Sequence, residues 1–236
     1  MNFDPPLVQG ILLRRYKRFL ADVILENGDE ITAHCPNTGS MMGVADPGQR
    51  VWLAYRPSPT RKYAYGWELT QLADGTLVGV DTHRSNALVR EAIEGGVITE
   101  LQGYDTIVPE SRYGSENSRI DFLLRAPSRP DCYVEVKNVT AAVEAGIALF
   151  PDAVSERGTK HLRELMGVVA EGARAVLVFC VQRDDVTEVR PADAIDPVYG
   201  QTLREALRAG VEAVAYRAVI DPAAVSLQHR LPVICP

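Results

Sequence analysis

Short apolar runs separated by turn residues dominate the first 80 positions of the chain. Asn27-Gly28 stands between two such runs, and this dipeptide is the strongest short signal for a β-hairpin. Pro47-Gly48 and Asp74-Gly75 mark further turns. Because about five short strands alternate with turns, residues 1–80 are predicted to form a small antiparallel barrel, and an OB-like barrel is the natural candidate at this size.

The pattern changes near residue 81, where apolar positions take helical spacing. Ser85 or Asn86 is predicted to cap a helix that ends at Gly95-Gly96. Ser155 is predicted to cap a second helix, which ends at Glu171-Gly172. Strand patterns cover 104–108, 119–124, 132–139, 175–181 and 211–216, and a third helix covers 202–209. This order predicts a mixed α/β (α+β) domain over residues 81–236, with helices on both faces of a sheet.

Composition places the chain among ordinary globular proteins. Its 236 residues are 46% hydrophobic and 24% charged, which suffices for one large or two small domains. No apolar run reaches about 18 residues, so no membrane span is expected. The first residues lack a basic start and an apolar stretch, so no secretory signal is expected. Four cysteines without a C-x-x-C pair are typical of a reduced cytoplasmic protein without a zinc ribbon.

Charge is distributed unevenly between the two predicted domains. The net charge of −6 argues against a uniformly basic nucleic-acid binder. Residues 1–80 nevertheless hold 8 basic and 8 acidic side chains, whereas residues 81–236 hold 17 and 23. The acidity therefore belongs to the second domain, and a local basic patch is compatible with the first.

Two basic stretches of the predicted barrel are interleaved with aromatic residues, a combination that binds nucleic-acid backbones and stacks bases. The first consists of Arg14, Arg15, Lys17 and Arg18, with Tyr16 and Phe19 among them. The second consists of Arg61 and Lys62, followed by Tyr63, Tyr65 and Trp67. A solvated hairpin explains the first stretch equally well, and packing inside the barrel explains the aromatic residues of the second.

Polar and apolar residues alternate over 133–137, so Glu135 and Lys137 are expected to share one face of a strand. A second strand pattern precedes it, and residues 126–131 between the two are rich in turn residues. If the strands pair, Asp121 approaches Glu135 and Lys137. The residues expected on the other face of the earlier strand are Ile120, Phe122 and Leu124.

This set of two carboxylates and one ammonium group suits phosphodiester cleavage. Magnesium prefers oxygen ligands and keeps several waters, so Asp121, Glu135 and the carbonyl of Val136 suffice as protein ligands for Mg²⁺ or Mn²⁺. A cation held there activates water, and Lys137 contacts the phosphate or positions the water. The alternative is a solvated strand face with a cross-strand ion pair, worth about 0.2–1 kcal/mol.

The order of elements around Asp121 and Glu135-Val136-Lys137 resembles the PD-(D/E)xK nuclease core, with 13 residues between the two acids. The first acid stands in Arg-Ile-Asp rather than Pro-Asp, which departs from the signature. In related enzymes a glutamate of the first helix adds a metal contact, which implies Glu91 here. A solvent-exposed helix acid explains Glu91 at least as well. Some enzymes of this fold also place a polar residue at the end of a later strand, which implies Gln182.

Three basic residues open the second predicted helix, and helix N-termini attract anions. Arg157, Lys160 and His161 are therefore candidates for phosphate contacts. Helix capping and a polar helix face are the alternative explanation for these residues.

Nearly the whole chain resembles the bacterial and archaeal sugar fermentation stimulation protein A (SfsA) family. The segments that carry this resemblance are Ala-His-Cys-Pro-Asn-Thr-Gly-Ser-Met at 33–41, Asn-Ala-Leu at 86–88, and the runs 118–124, 134–140, 150–162 and 195–197. The resemblance implies an N-terminal OB-like domain, a C-terminal PD-(D/E)xK restriction-endonuclease-like domain, and DNA binding. It also implies a link to the regulation of sugar utilisation, and some members are described as nucleases.

Together these observations predict a cytoplasmic two-domain protein that binds nucleic acid through backbone phosphates with little sequence specificity. The first hypothesis is a Mg²⁺- or Mn²⁺-dependent nuclease that acts on DNA or RNA at Asp121, Glu135 and Lys137. The alternative is a non-catalytic DNA-binding regulator of sugar (maltose) utilisation genes with a structural acid cluster. No membrane partner is expected, and a homodimer is implied because many nucleases of this fold act as dimers.

Overall fold

The computed structural model describes residues 1–114, 118–144 and 146–236 of the chain. Its N-terminal strands are β1 (Val8–Tyr16), β2 (Leu20–Leu25), β3 (Glu30–His34), β4 (Arg50–Tyr55), β5 (Tyr65–Gln71) and β6 (Leu77–Gly79). β1 pairs with β2 and β4, and β2 pairs with β3, all antiparallel. β4 pairs with β5, and β5 returns to β3 through a parallel pair, which closes β1 to β5 into a barrel. The predicted OB-like barrel is confirmed.

Apolar side chains from alternate strand positions fill the barrel. Leu12, Val23, Leu53 and Trp67 are fully buried in one cluster. The Trp67 indole Nε1 donates a hydrogen bond to the Leu69 carbonyl 3.0 Å away. The expectation that Trp67 belongs to a base-stacking surface is therefore wrong, because its ring faces the barrel interior.

The second part of the chain combines helices with two sheets. The helices are α1 (Arg84–Glu94), α2 (Glu156–Ala170) and α3 (Pro197–Arg208), with a short 3₁₀ turn at Thr99–Leu101. The strands are β7 (Thr106–Tyr113), β8 (Ser118–Ala126), β9 (Arg129–Val139), β10 (Ala141–Glu144), β11 (Gly146–Phe150), β12 (Arg174–Val181), β13 (Val186–Pro191), β14 (Glu212–Ile220) and β15 (Val225–Leu231). The main sheet has the order β15-β14-β12-β9-β8-β7, and β10, β11 and β13 form a smaller sheet. None of the described helices has the length and apolar character that a bilayer crossing requires.

Helices cover both faces of the main sheet, as predicted. Its central strands β9, β12 and β14 run parallel to one another. Leu88 of α1 packs with Val134 and Val176 on one face. Leu162 of α2 packs with Leu177 on the other face. Because both faces are covered, β12 reads as an unbroken apolar run, the pattern of a fully buried strand.

The first helix begins at a different residue than the sequence pattern predicts. α1 begins at Arg84 after His83, whose side chain makes no capping hydrogen bond. The expected capping residues Ser85 and Asn86 lie inside the helix. Their side chains donate instead to Asn138 and to the Asp121 carboxylate.

The C-terminal part holds elements that the sequence pattern does not predict. α3 begins at Pro197 rather than near residue 202, because the Asp196 carboxylate accepts the Tyr199 N–H and caps the helix. The strands β10, β13 and β15 are additional. β15 lies at the edge of the main sheet with residues 228–230 exposed, so polar side chains mask its strand pattern.

Strand β8 breaks its expected alternation at Asp121. Phe122 and Leu124 pack on the α1 face as predicted. Ile120, expected beside them, packs on the α2 face instead. The recorded pairing of β8 with β9 extends only to Phe122 and Val134, so the residues before Phe122 can turn away from the alternation.

Buried polar contacts join the barrel to the second domain. Arg84, the first residue of α1, donates to both carboxylate oxygens of Glu68 at 2.5 and 2.8 Å. The Thr82 hydroxyl donates to the Pro36 carbonyl at 3.0 Å. The start of α1 is therefore anchored to the barrel wall.

Candidate active site

Asp121 and Glu135 lie in the same cleft, at the point where strands β8 and β9 part. The β8–β9 pairing ends at Phe122 and Val134, and Asp121 and Glu135 are the next residues on the two strands. At this point the Asp121 carboxylate takes the place of the strand partner, since its Oδ2 accepts the Val136 N–H at 2.7 Å. The structure thus brings together the two acids that the sequence pattern places on one face.

A helix side chain completes the environment of Asp121. The Asn86 Nδ2 amide donates to Asp121 Oδ1 at 2.8 Å. Burial and the negative charge of Glu135 raise the pKa of Asp121 above its ordinary value, although the hydrogen bonds from Val136 and Asn86 oppose this. Positive charge bound between the two carboxylates would relieve their repulsion.

Glu135 is deeply buried, with 3% of its surface exposed. Its Oε1 lies 2.7 Å from Lys137 Nζ and also bonds His161 Nδ1. Burial favours the protonated acid, but the His161 hydrogen bond and the Lys137 charge outweigh it, so the pKa of Glu135 lies below its ordinary value. The other oxygen, Oε2, is buried and has no hydrogen-bond partner in the part of the chain that the structure describes. Such an oxygen is costly unless a ligand or water satisfies it.

The neighbours of His161 indicate which ring nitrogen carries its proton. Arg157 Nε lies 3.4 Å from His161 Nε2. A guanidinium group only donates, so Nε2 accepts, and the proton of the neutral ring is on Nδ1. His161 therefore donates to Glu135 Oε1. His161 lines the same cleft as Arg157 and Lys160, but the residue is only 5% exposed and both of its ring nitrogens have partners within the protein, which compete with its expected phosphate contact.

An open cleft of about 790 Å³ gives access to the two acids. Its basic lining residues come from β8 and α2 and are Arg119, Arg157, Lys160 and Arg163. Glu110 and Glu156 line the same cleft. The structure therefore places Arg157 and Lys160, two predicted phosphate contacts, beside the acid cluster.

The donor groups of the cluster fit a small divalent cation. Two carboxylates and the Val136 peptide lie together, and Glu135 Oε2 is an unsatisfied buried oxygen. Mg²⁺ and Mn²⁺ accept carboxylate oxygens supplemented by water. Within the described residues, no group of three or more His, Cys, Asp or Glu side chains is arranged to hold a metal. A cation here would thus rely on Asp121, Glu135, the Val136 carbonyl and water.

Glu91, the predicted third acidic ligand, does not reach the cluster. Its carboxylate pairs with the Met1 amine at 2.9 Å, and half of the side chain, 50%, is exposed. Asn86 occupies the helix position that faces Asp121. Because helix positions advance by about 100° per residue, residues 86 and 91 point about 140° apart. The expectation that Glu91 is a metal ligand is therefore wrong.

Glu91→Ala is expected to leave Mn²⁺ affinity unchanged, because the carboxylate contacts Met1 instead of the cluster. Calorimetric titration of the full chain measures this. Asp121→Ala is the matched change inside the cluster, and we expect it to weaken Mn²⁺ binding by about 10-fold or more. If both variants lose Mn²⁺ affinity to the same extent, Glu91 is a metal ligand after all.

Gln182, a further predicted site residue, belongs to the domain junction. It is 1% exposed, and its Nε2 donates to Asn138 Oδ1 at 2.6 Å and to the Asp81 carbonyl at 3.2 Å. Asn138 faces away from Glu135, because neighbouring strand residues of odd and even number point to opposite faces. The structure therefore separates Gln182 from the acid cluster.

Two of the basic residues predicted to bind nucleic acid make hydrogen bonds to other residues of the barrel domain, although the Arg14 side chain stays exposed. Arg14 Nε donates to Asp22 Oδ2 at 2.8 Å. Arg15 donates to the backbone carbonyls of Asn37 and Gly39, each at 2.9 Å. Arg15 therefore holds the loop after β3 against β1, a structural task that competes with its expected phosphate contact.

The other four basic candidates of the barrel lie on exposed connections. Lys17 and Arg18 form the β1–β2 turn with φ values of 50° and 65°. Arg61 and Lys62 lie in the loop between β4 and β5. These side chains are positioned to meet a ligand from solvent.

Sequence reasoning misses several residues of the cluster and its cleft. Asn86 bonds Asp121, and Arg119 and Arg163 line the cleft. The Tyr113 hydroxyl is buried without a hydrogen-bond partner among the described residues, and its pKa is raised by burial and by the charge of Glu135. Asn86 and Arg119 do carry a signal in the sequence, since they lie in the segments 86–88 and 118–124 of the family resemblance.

The fold and the cluster define a class of protein: an OB barrel followed by a mixed α/β domain that carries a buried Asp–Glu–Lys set where two strands part. Two protein-family models match this chain. The SfsA N-terminal OB domain matches residues 13–80, and the sugar fermentation stimulation protein RE domain matches residues 83–224. The chain belongs to the sugar fermentation stimulation protein (SfsA) family.

Relatives match over nearly the full length. A sugar fermentation stimulation protein homolog of Thioalkalivibrio sulfidiphilus is 60% identical, over 99% of this chain and 98% of that protein. A homolog of the same name from Alkalilimnicola ehrlichii is 56% identical, over 100% of both. The solved structure of Pyrococcus furiosus SfsA in complex with Ca²⁺ has a TM-score of 0.87 and 29% identity, over 99% of this chain and 98% of that one.

Proposed function

We propose that the chain is a nuclease that hydrolyses phosphodiester bonds of DNA or RNA with bound Mg²⁺ or Mn²⁺. The observation that carries this proposal is the pairing of Asp121 with Glu135 in one cleft, with Glu135 Oε2 buried and lacking a partner in the described structure. The Pyrococcus furiosus SfsA structure is a complex with Ca²⁺, which supports the binding of a divalent cation, because Ca²⁺ shares with Mg²⁺ and Mn²⁺ the preference for oxygen ligands.

The residues of the cluster have different parts in this proposal. Asp121, Glu135 and the Val136 carbonyl would hold the cation, which supplies an activated water and neutralises phosphate charge when bound. Lys137 keeps its ammonium group 2.7 Å from Glu135 and stabilises the negative charge that grows on the phosphate. Arg157 borders the cleft and binds the neighbouring phosphate.

Nucleic acid would be held mainly through its phosphates. The basic residues proposed for this lie on the barrel connections and at the cleft, and they are Lys17, Arg18, Arg61, Lys62, Arg157 and Lys160. Phosphate contacts carry no sequence information, so we expect little sequence specificity. The acidic net charge of −6 is compatible with this, because it resides in the second domain.

A non-catalytic DNA-binding regulator of sugar (maltose) utilisation genes is the second candidate. Both Asp121 oxygens accept hydrogen bonds within the protein, and Glu135 Oε1 is bonded to Lys137 and His161. A cluster so largely satisfied can serve as a structural ion network. The name of the family, sugar fermentation stimulation, favours a regulatory role.

One experiment separates the two candidates. The full chain is incubated with labelled single- and double-stranded DNA and RNA in Mg²⁺, Mn²⁺ or EDTA. Cleavage that requires the cation, and that a substitution at Asp121 removes, supports the nuclease and names its preferred strand. Binding without cleavage under every condition would favour the regulator.

Charge reversal in the β1–β2 turn is expected to weaken DNA binding and to flatten its salt dependence. Lys17→Glu with Arg18→Glu removes two phosphate contacts, so the slope of log K against log salt should fall by about two. Arg15 is left intact, because its guanidinium supports the loop at Asn37. Anisotropy titrations at several salt concentrations measure the slope, and an unchanged slope would exclude this turn from the interface.

We infer that the protein acts in the cytoplasm. Its cysteines, Cys35, Cys132, Cys180 and Cys235, are all free thiols. Free thiols are the usual state in a reducing compartment. The homodimer stays a prediction, which light scattering coupled to size-exclusion chromatography measures.

A further inference from the structure

The outer face of the barrel carries a recess that the proposed chemistry does not use. Its floor is a row of positions on three neighbouring strands: His34 on β3, Gly66 on β5 and Ala54 on β4. A Cβ atom added to Gly66 would meet no atom of another residue within 4 Å. The recess measures about 390 Å³, within the roughly 300–1,000 Å³ typical of small-molecule sites.

Glycine at the centre of this floor needs an explanation. A glycine inside a strand weakens the strand and often marks a close approach by a ligand or another backbone. No side chain or backbone of the described structure fills the space above Gly66. Gly66, paired with the buried Ala54, therefore leaves space at the floor of the recess that a planar group can enter.

Aromatic and cationic side chains form the walls. Tyr63 and Tyr65 line the recess, and the Tyr65 ring is supported by the Tyr55 ring, with centroids 4.8 Å apart. Arg61 and Lys62 stand on the loop above. Among the described residues, neither forms an ion pair with an acid, so their charges are available to an anion.

The acidic residues of the recess are already engaged. Glu68 receives two hydrogen bonds from Arg84. Asp81 accepts the His83 N–H at 2.9 Å. The charge of the recess is positive overall, because Arg56, Arg61 and Lys62 outnumber its two acids, of which Glu68 is also paired with Arg84.

We propose that this recess binds one nucleotide unit. The base lies over Gly66 beside the Tyr63 side chain, and the phosphate contacts Arg61 and Lys62. A base within a duplex is stacked and paired, so only a free mononucleotide or an unpaired nucleotide of a strand can enter. This inference deepens the proposed nucleic-acid binding, and its claim about strand nucleotides rests on that proposed function. It makes an unpaired strand the preferred partner of the barrel.

The test uses Gly66→Val in the full chain, because a Cβ atom at this position has open space, the branched side chain would occupy the recess, and valine suits a strand. Gln71→Val on the same strand, outside the recess, is the matched control. Binding of a labelled thymidylate strand of about ten nucleotides, a length within OB-fold site sizes, is measured by anisotropy in EDTA. We expect Gly66→Val to weaken strand binding by about 10-fold or more, with duplex binding and the melting temperature unchanged.

Competition identifies the form of the nucleotide. Displacement of the strand by thymidine monophosphate supports the recess with a free nucleotide as an occupant. Failure of thymidine monophosphate to compete, with Gly66→Val still defective for the strand, supports the recess with strand nucleotides alone. Inorganic phosphate that competes as well as thymidine monophosphate overturns the base contact.

Equal strand binding by wild type and a folded Gly66→Val overturns the proposal, as does a wild type that binds no strand. If Gly66→Val melts at a lower temperature than the wild type, the double variant Arg61→Glu with Lys62→Glu replaces it, and unchanged strand binding by that variant overturns the proposal.

Cleavage in Mn²⁺ is measured separately from binding. If the wild type cleaves and Gly66→Val binds the strand normally, the recess proposal fails and the nuclease proposal stands. If the wild type binds through the recess without cleaving, the nuclease proposal fails and the recess proposal stands.

Discussion

Lys137→Ala is expected to slow cation-dependent cleavage by about 100- to 1,000-fold while DNA binding in EDTA stays unchanged. The ammonium group lies 2.7 Å from Glu135 Oε1, and 12% of the side chain is exposed. A fixed positive charge in a poorly solvated site stabilises a charged transition state strongly, because water screens it little. Initial rates on end-labelled DNA in Mn²⁺ measure the effect.

The control for this prediction lies on the same hairpin. Arg125 is exposed at its far end and pairs with Asp131 at 3.0 Å. Arg125→Ala is therefore expected to cleave at the wild-type rate. A Lys137→Ala protein with wild-type rates would remove the lysine from the chemistry. If Lys137→Ala instead binds DNA more weakly and also melts at a lower temperature than the wild type, the lysine has a structural role.

His161→Gln is expected to weaken Mn²⁺ binding by about 10- to 100-fold, the usual cost of losing a group that holds a metal ligand. His161 donates from Nδ1 to Glu135 Oε1 and so directs the free oxygen, Oε2. The amide of glutamine reaches the position of Nε2, whereas that of asparagine reaches the position of Nδ1. His161→Asn should therefore retain much of the affinity that His161→Gln loses. Calorimetry with Mn²⁺ in the absence of DNA measures both.

An exposed histidine provides the comparison. His229 lies on the edge strand β15, and His229→Gln is expected to bind Mn²⁺ like the wild type. Equal affinities for His161→Gln and the wild type would show that Glu135 needs no support from this ring. Equal losses in His161→Gln and His161→Asn would point to packing rather than to the Nδ1 hydrogen bond.

Local patterns suffice for the hairpins of the barrel and for the two acids. Alternation over 133–137 places Glu135 and Lys137 on one face, and the turn-rich residues 126–131 place Asp121 on the neighbouring strand. Both are short-range properties of the backbone. The hairpins of the barrel follow in the same way from turns such as Asn27-Gly28, where Gly28 adopts a φ of 90°, whereas its closure depends on the pairing of β5 with β3.

Contacts between distant segments lie outside such patterns. Whether Asn86 or Glu91 faces the cluster depends on the rotation of α1, which the packing of Leu88 against Val134 sets. The pairing of Arg15 with the loop at Asn37 is likewise tertiary. Neither periodicity nor capping signals carry this information, because each describes only one element.

The first turn of α1 touches both halves of the molecule. Arg84 donates a hydrogen bond to Glu68 on the barrel, and Asn86, two residues further along, donates a hydrogen bond to Asp121 on the sheet. Less than one helical turn therefore separates the contact with the barrel wall from the contact with the Asp121 carboxylate. Glu68 also borders the recess above Gly66. The two halves are consequently poor candidates for separate expression or exchange between relatives, since removing the barrel would leave the placement of Asp121 without one of its anchors.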